Sequence, residues 1–170
     1  KYSNQVKSLS FIAPAGFGKV QTSIPFFMKI PGVIEWAMHV LADRFYGSAI
    51  SSETAHSNDP LSINEEEFQQ LFSFQMQFKG FRESLASTMR NFNLFDAREM
   101  FEKVAAKNIP SIAIWGDNDG IVSYKGAETY SEIFHEGKVI TIEDGTHDIT
   151  YRQPSDVLEA IKIFLASQIS

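Results

Sequence analysis

Two loop segments of this 170-residue chain hold side chains suited to proton transfer. The first is Trp115-Gly116-Asp117-Asn118-Asp119-Gly120-Ile121-Val122, at the end of the apolar run Ser111–Trp115. The second is Glu143-Asp144-Gly145-Thr146-His147-Asp148, after Lys138–Ile142. A histidine changes charge near neutral pH, so it can take a proton from a nucleophile and return it to a leaving group. A carboxylate beside it fixes the imidazole's tautomer and stabilises the imidazolium. Asp117 and Asp119 both compete for that acid position, and Asp148 reads as turn or surface.

Other chemistries find less support. There is no cysteine, which excludes disulfides, thiol nucleophiles and thiolate-held metals. His39, His56 and His135 have no acid at a telling spacing and read as structural, and no cluster has metal-ligand spacing. Gly16-Phe17-Gly18 lacks the rest of a dinucleotide-binding fingerprint. The net charge is -6, and no basic stretch offers a nucleic-acid surface. No apolar run reaches the roughly 18 residues of a membrane span. Together with the missing disulfides, this leads us to expect a cytoplasmic protein. No signal peptide is evident, and because Lys1 is not methionine the natural start is expected upstream or a tag to have been removed.

The elements that must position these residues follow from the hydrophobic pattern. Val6–Pro14 reads as a buried strand, and Ala15 to Gly18 break it. From Lys19 to about Phe92 the pattern is helical. Ile34, Ala37, Met38, Leu41 and Phe45 share a face, and Tyr46 to Pro60 form a loop. Ser62 with Glu65 predicts a capping box for the next helix, whose glutamates 65–67 suit a first turn, and Gly80 separates that helix from residues 81–90. Asp96 with Glu99 predicts a helix ending near Lys107, stopped by Asn108-Ile109-Pro110. Ser111–Trp115 is a strand, Tyr124–Phe134 a helix, Lys138–Ile142 a strand and Pro154–Ala166 an amphipathic helix. Strands alternating with helices predict an α/β fold with a parallel sheet, whose ligands bind at the carboxyl ends of the strands. Both candidate loops lie at such ends.

At these residues a resemblance becomes specific. Ile109-Pro110 through Trp115-Gly116, with Asp119 and Val122, resembles the acid-bearing segment of the α/β-hydrolase family. Gly145 to His147 followed by Pro154 resembles its histidine loop. The 28-residue separation of Asp119 and His147 leaves room for one helix and one strand, as in that family. Ser8 to Gly18 looks like the strand leading into the family's cap. The resemblance implies residues 1–18 and 93–170 as the C-terminal part of a hydrolase core, with 19–92 as a helical cap. It favours Asp119 as the acid and His147 as the base. Three positions depart from the family pattern: Ser123 in place of a common Pro, Arg152 in place of a common Glu, and Thr146 in place of a common Gly. None is expected to touch reacting atoms.

The nucleophile elbow, Gly-x-Ser-x-Gly, occurs nowhere in the chain, although the family's order is nucleophile, acid, histidine. The resemblance therefore implies a cofactor-free hydrolase of small ester-like substrates whose serine lies outside this sequence. The isolated chain is expected to be inactive, and its first strand to pair with a missing N-terminal segment or a second copy. Dehalogenation, carbon–carbon bond hydrolysis and a non-catalytic binding role remain open on the same fold. For a substrate pocket the candidates are Phe17, Phe26, Phe27, Trp36 and Val122, drawn from a chain with 15 Phe residues.

Overall fold

The run Ser111–Trp115 is apolar at every position after its first serine, the pattern of a strand covered on both faces. In the computed structural model of the chain, which describes residues 5–18, 30, 32–40, 58–91 and 96–168, this run is the central strand of a parallel sheet. Strand β1 spans Leu9–Ile12, β2 Ser111–Gly116 and β3 Lys138–Ile142, in the order β1-β2-β3. Leu9 pairs with Ser111, and Ile112 with Lys138. All six residues of β2 are buried.

Side chains alternate across a strand, and here the alternation separates two cores. Ala113 and Trp115 face one side, with Phe17, Ala127, Tyr130, Ile133 and Phe134. Ile112 and Ile114 face the other, with Ile142, Ile149, Val157 and Phe164. The first core is covered by helices α4 (Arg98–Ala105) and α5 (Gly126–Ile133). The second is covered by a single turn, α6 (Ile149–Arg152), and by α7 (Pro154–Ser167). The turn α6 is not expected from the sequence, because four residues are too few to show helical periodicity. The first core is aromatic: Phe17 stacks on Phe101 with centroids 3.9 Å apart, and Phe11 meets the edges of Phe17, Phe101 and Tyr130. The Ser111 and Tyr130 hydroxyls are hydrogen-bonded at 2.8 Å, so neither buried oxygen lacks a partner.

The chain divides into two compact units, one of Lys1–Val20, Ala55–Ser62 and Phe95–Ser170, the other of Gln21–Thr54 and Ile63–Leu94. The sheet belongs to the first. Residues 55–62, placed in the helical insertion by the sequence, group with it. Asp59 shows why: its carboxylate accepts from the Ser155 backbone N–H at 2.7 Å and from the Ser155 hydroxyl at 2.8 Å. Helix α7 has no side-chain cap from its own N-cap residue Gln153, so a distant residue supplies one.

The second unit holds α1 (Val33–Val40), α2 (Glu65–Met76) and α3 (Phe81–Asn91), with α3 packed against both others. The helical face predicted for Ile34 to Phe45 is described only as far as Val40. The capping box of α2 is formed by Asn64 and Glu67, not by Ser62 and Glu65. Asn64 Oδ1 accepts the Glu67 N–H and Glu67 Oε2 accepts the Asn64 N–H, both at 2.9 Å. Ser62 is held instead in a turn, its N–H donating to the Asp59 carbonyl. At the start of α4 Asp96 accepts from Arg98 N–H, and Glu99 pairs with Lys103 at 2.6 Å. Among the described residues no helix is long and apolar enough to cross a membrane.

Candidate active site

Two glycines allow the loops after β2 and β3 to meet. A Cβ on Gly116 would lie 2.1 Å from the Gly145 carbonyl oxygen, and one on Gly145 would lie 2.8 Å from Gly116 Cα. Both obstacles are backbone, which cannot swing aside as a side chain can. The contact is tied by hydrogen bonds from Asn118 N–H to the Gly145 carbonyl at 3.0 Å and from Asp117 N–H to the Ile142 carbonyl at 3.2 Å. The loop bearing the acid is thereby fastened to the loop bearing the histidine.

Within the first loop the Asp119 side chain has no solvent exposure. Its Oδ1 accepts two backbone N–H groups, from Ile121 at 2.9 Å and Val122 at 2.7 Å. Its Oδ2 lies 3.0 Å from His147 Nδ1. An ionised carboxylate can only accept, so the shared proton belongs to Nδ1 and the lone pair of the neutral imidazole to Nε2. The His147 side chain is 34% exposed, so a buried acid stands behind a base that reaches solvent. The Trp115 indole N–H donates to the Val122 carbonyl at 2.8 Å, closing the turn around Asp119 from a fully buried ring.

The structure thus brings Asp119 and His147 together and leaves Asp117 exposed at the loop surface. Val122 contributes backbone to the acid's turn and packs its side chain beside the aromatic core. Phe17, a pocket candidate from the sequence, is 2% exposed and lies inside that core. Trp36 is 61% exposed on α1 of the second unit. Phe26, Phe27 and His56 lie outside the described residues. His135 is exposed just past α5.

Sequence reasoning missed the surroundings of the histidine loop. Asp148, read as turn or surface, is only 17% exposed at its side chain and pairs with the nearly buried Arg152 at 2.9 Å. The i, i+4 spacing of opposite charges was the available signal. Asp59 was also missed, and no local pattern links it to Ser155. Burial would raise the Asp59 carboxyl, but hydrogen bonds from the Leu61 and Ser155 N–H groups and the Ser155 hydroxyl outweigh it and hold the group below its ordinary value.

Comparison with known proteins gives the same architecture. No family model matches the chain. Among curated proteins it is 25% identical over 181 residues to Lipase 3 of Moraxella sp. (strain TA144), covering 96% of this chain and 50% of that one. The chain therefore spans about half the length of the relative it matches. Its structure superposes on a bromoperoxidase from Bacillus anthracis with a TM-score of 0.62 at 19% identity, over 94% of this chain and 58% of the other. It superposes on a thermophilic esterase from Thermogutta terrifontis with a TM-score of 0.61 at 16% identity, over 100% and 59%. With its parallel strands, helices on both faces and these neighbours, the chain has the α/β-hydrolase fold over a little more than half the length of the structures it matches.

Proposed function

We propose that the chain supplies the acid and base of a Ser-His-Asp centre in a hydrolase of carboxylic esters. The observation that carries this reading is the buried Asp119, held by two backbone N–H groups and bonded to His147 Nδ1 at 3.0 Å. The ester class is supported by relatives named as a lipase and an esterase.

In this mechanism a serine hydroxyl from a segment beyond the present sequence attacks the ester carbonyl. His147 Nε2 takes the hydroxyl proton as the bond to carbon forms, and Asp119 stays ionised and stabilises the imidazolium. The proton then passes to the leaving alkoxide as the carbon–oxygen bond breaks. Water repeats the sequence on the acyl-enzyme, with His147 again first base and then acid. Backbone N–H groups that hold the oxyanion also lie beyond this sequence. No step calls for a metal or an organic cofactor.

The test is an intact mass spectrum of the protein from its natural source, before and after a fluorophosphonate that labels activated serines. A larger polypeptide, or a tightly bound second one, carrying the adduct is the expected result. An unlabelled species near 19.1 kDa overturns the reading. So does ester turnover by the pure 170-residue chain that is lost on His147→Ala.

A further inference from the structure

Thr146 and Asp148 flank His147, and their side chains are bonded to each other. The Thr146 hydroxyl donates to Asp148 Oδ1. The second carboxylate oxygen, Oδ2, accepts from Arg152 Nε at 2.9 Å. The Arg152 side chain is only 9% exposed, so its guanidinium has given up most of its water, a loss that the carboxylate of Asp148 helps to offset. The backbone repeats the link: the Tyr151 and Arg152 N–H groups donate to the Asp148 carbonyl at 2.8 and 3.0 Å. Further along, Gln153 Nε2 donates to the Glu143 carbonyl at 3.0 Å and closes the start of the same loop.

These bonds enclose one residue. Asp148 is held at both carboxylate oxygens and at its carbonyl, and Thr146 is held to Asp148 and is itself buried. With both neighbours fixed, the backbone dihedrals of His147 are fixed, and they set the direction of its Cα–Cβ bond. The imidazole must meet Asp119 Oδ2 from that direction. A planar guanidinium bonded through Nε to Oδ2 holds a fixed direction better than a flexible ammonium.

We propose that Arg152 is a positioning residue for His147, acting through Asp148 and Thr146 to hold the imidazole against Asp119. This rests on the acid–base reading above and adds a buried cation to it, on the turn that follows the histidine. Two of the three positions at which the sequence departs from the family pattern, Thr146 and Arg152, are thus tied to the base.

Proton NMR of the protein as isolated from its source, and of variants of that full polypeptide, tests the proposal independently of turnover. A hydrogen-bonded Nδ1 proton gives a far-downfield resonance, which is assigned to His147 by its loss in His147→Ala. In Arg152→Gln and in Asp148→Asn it should vanish, or exchange with water at least about tenfold faster. A displacement of about 1 Å at a reacting group costs about 10²-fold, so kcat for ester hydrolysis should fall by about that factor with KM little changed. Arg152→Lys should recover part of the loss. The double variant, Asp148→Asn with Arg152→Gln, should be no worse than either single one.

Variants that melt earlier yet keep the downfield proton, its exchange rate and kcat within about twofold would make the bridge merely structural and overturn the proposal. If Arg152→Gln fails to fold, Arg152→Lys and the double variant give the same discrimination. A downfield proton absent from the unaltered protein overturns the pairing and the proposal together. A proton present in the unaltered protein and lost in the variants, without any ester turnover, supports the proposal and overturns only the ester reading.

Discussion

Asp119→Asn would preserve the shape of the acid and reverse its chemistry. The amide oxygen can still accept from Ile121 and Val122, which leaves the amide nitrogen facing His147 Nδ1. That nitrogen donates, so it selects the imidazole tautomer with its proton on Nε2, which cannot take one from a nucleophile. In the proposed mechanism, turnover by the full polypeptide should fall by about 10⁴-fold with little change in KM, measured by steady-state kinetics. Gly145→Ala tests the contact beneath the pair. Its Cβ would strike Gly116 Cα and the Ile142 carbonyl, so a destabilisation of about 3 kcal/mol is expected in a urea melt, with weakened His147–Asp119 pairing. The two loops were legible in the sequence because each follows a strand-like run, whereas the choice of Asp119 over Asp117 came from the family resemblance. Phe17 was not, since an aromatic beside glycines reads alike whether it lines a cavity or stacks on Phe101.

At the scale of elements, the least local feature is the Asp59 clasp on α7. Its carboxyl is held below its ordinary value, so the folded state binds the proton more weakly than the unfolded chain does. The stabilisation is complete above the ordinary carboxylate range and is lost as the pH falls through the folded-state value. Asp59→Ala should therefore lower the melting temperature at neutral pH, and its deficit should shrink in acid; a deficit independent of pH would contradict the linkage. The sequence showed α7 clearly but not its cap, because the partners are 96 residues apart. The cap of α2 was misplaced for a different reason. Ser62 with Glu65 and Asn64 with Glu67 both fit the pattern, and the turn made by Ser62 on Asp59 decides between them. Strand β2 was the easiest element to read because both its faces are covered, so nothing interrupts its apolar run.

For the whole molecule, the α/β class was legible from the alternation of strands and helices after Asn91, where α5 links the neighbouring strands β2 and β3. The grouping of residues 55–62 was not, because it depends on contacts that span most of the chain. The pairing of Leu9 with Ser111 spans roughly four times as much chain as that of Ile112 with Lys138, and closing the longer loop costs roughly 1 kcal/mol more in entropy. Time of assembly should therefore differ across a sheet that looks uniform once formed. The β2–α5–β3 crossover should therefore form first, with β1 docking on it late. Ile140→Val in β3 should chiefly slow folding, whereas Ile12→Val in β1 should chiefly hasten unfolding, each at a total cost of about 1 kcal/mol in stopped-flow chevrons. The acid and the base would then share a scaffold from the earliest committed stage, before the strand that begins the sequence has found its place beside them.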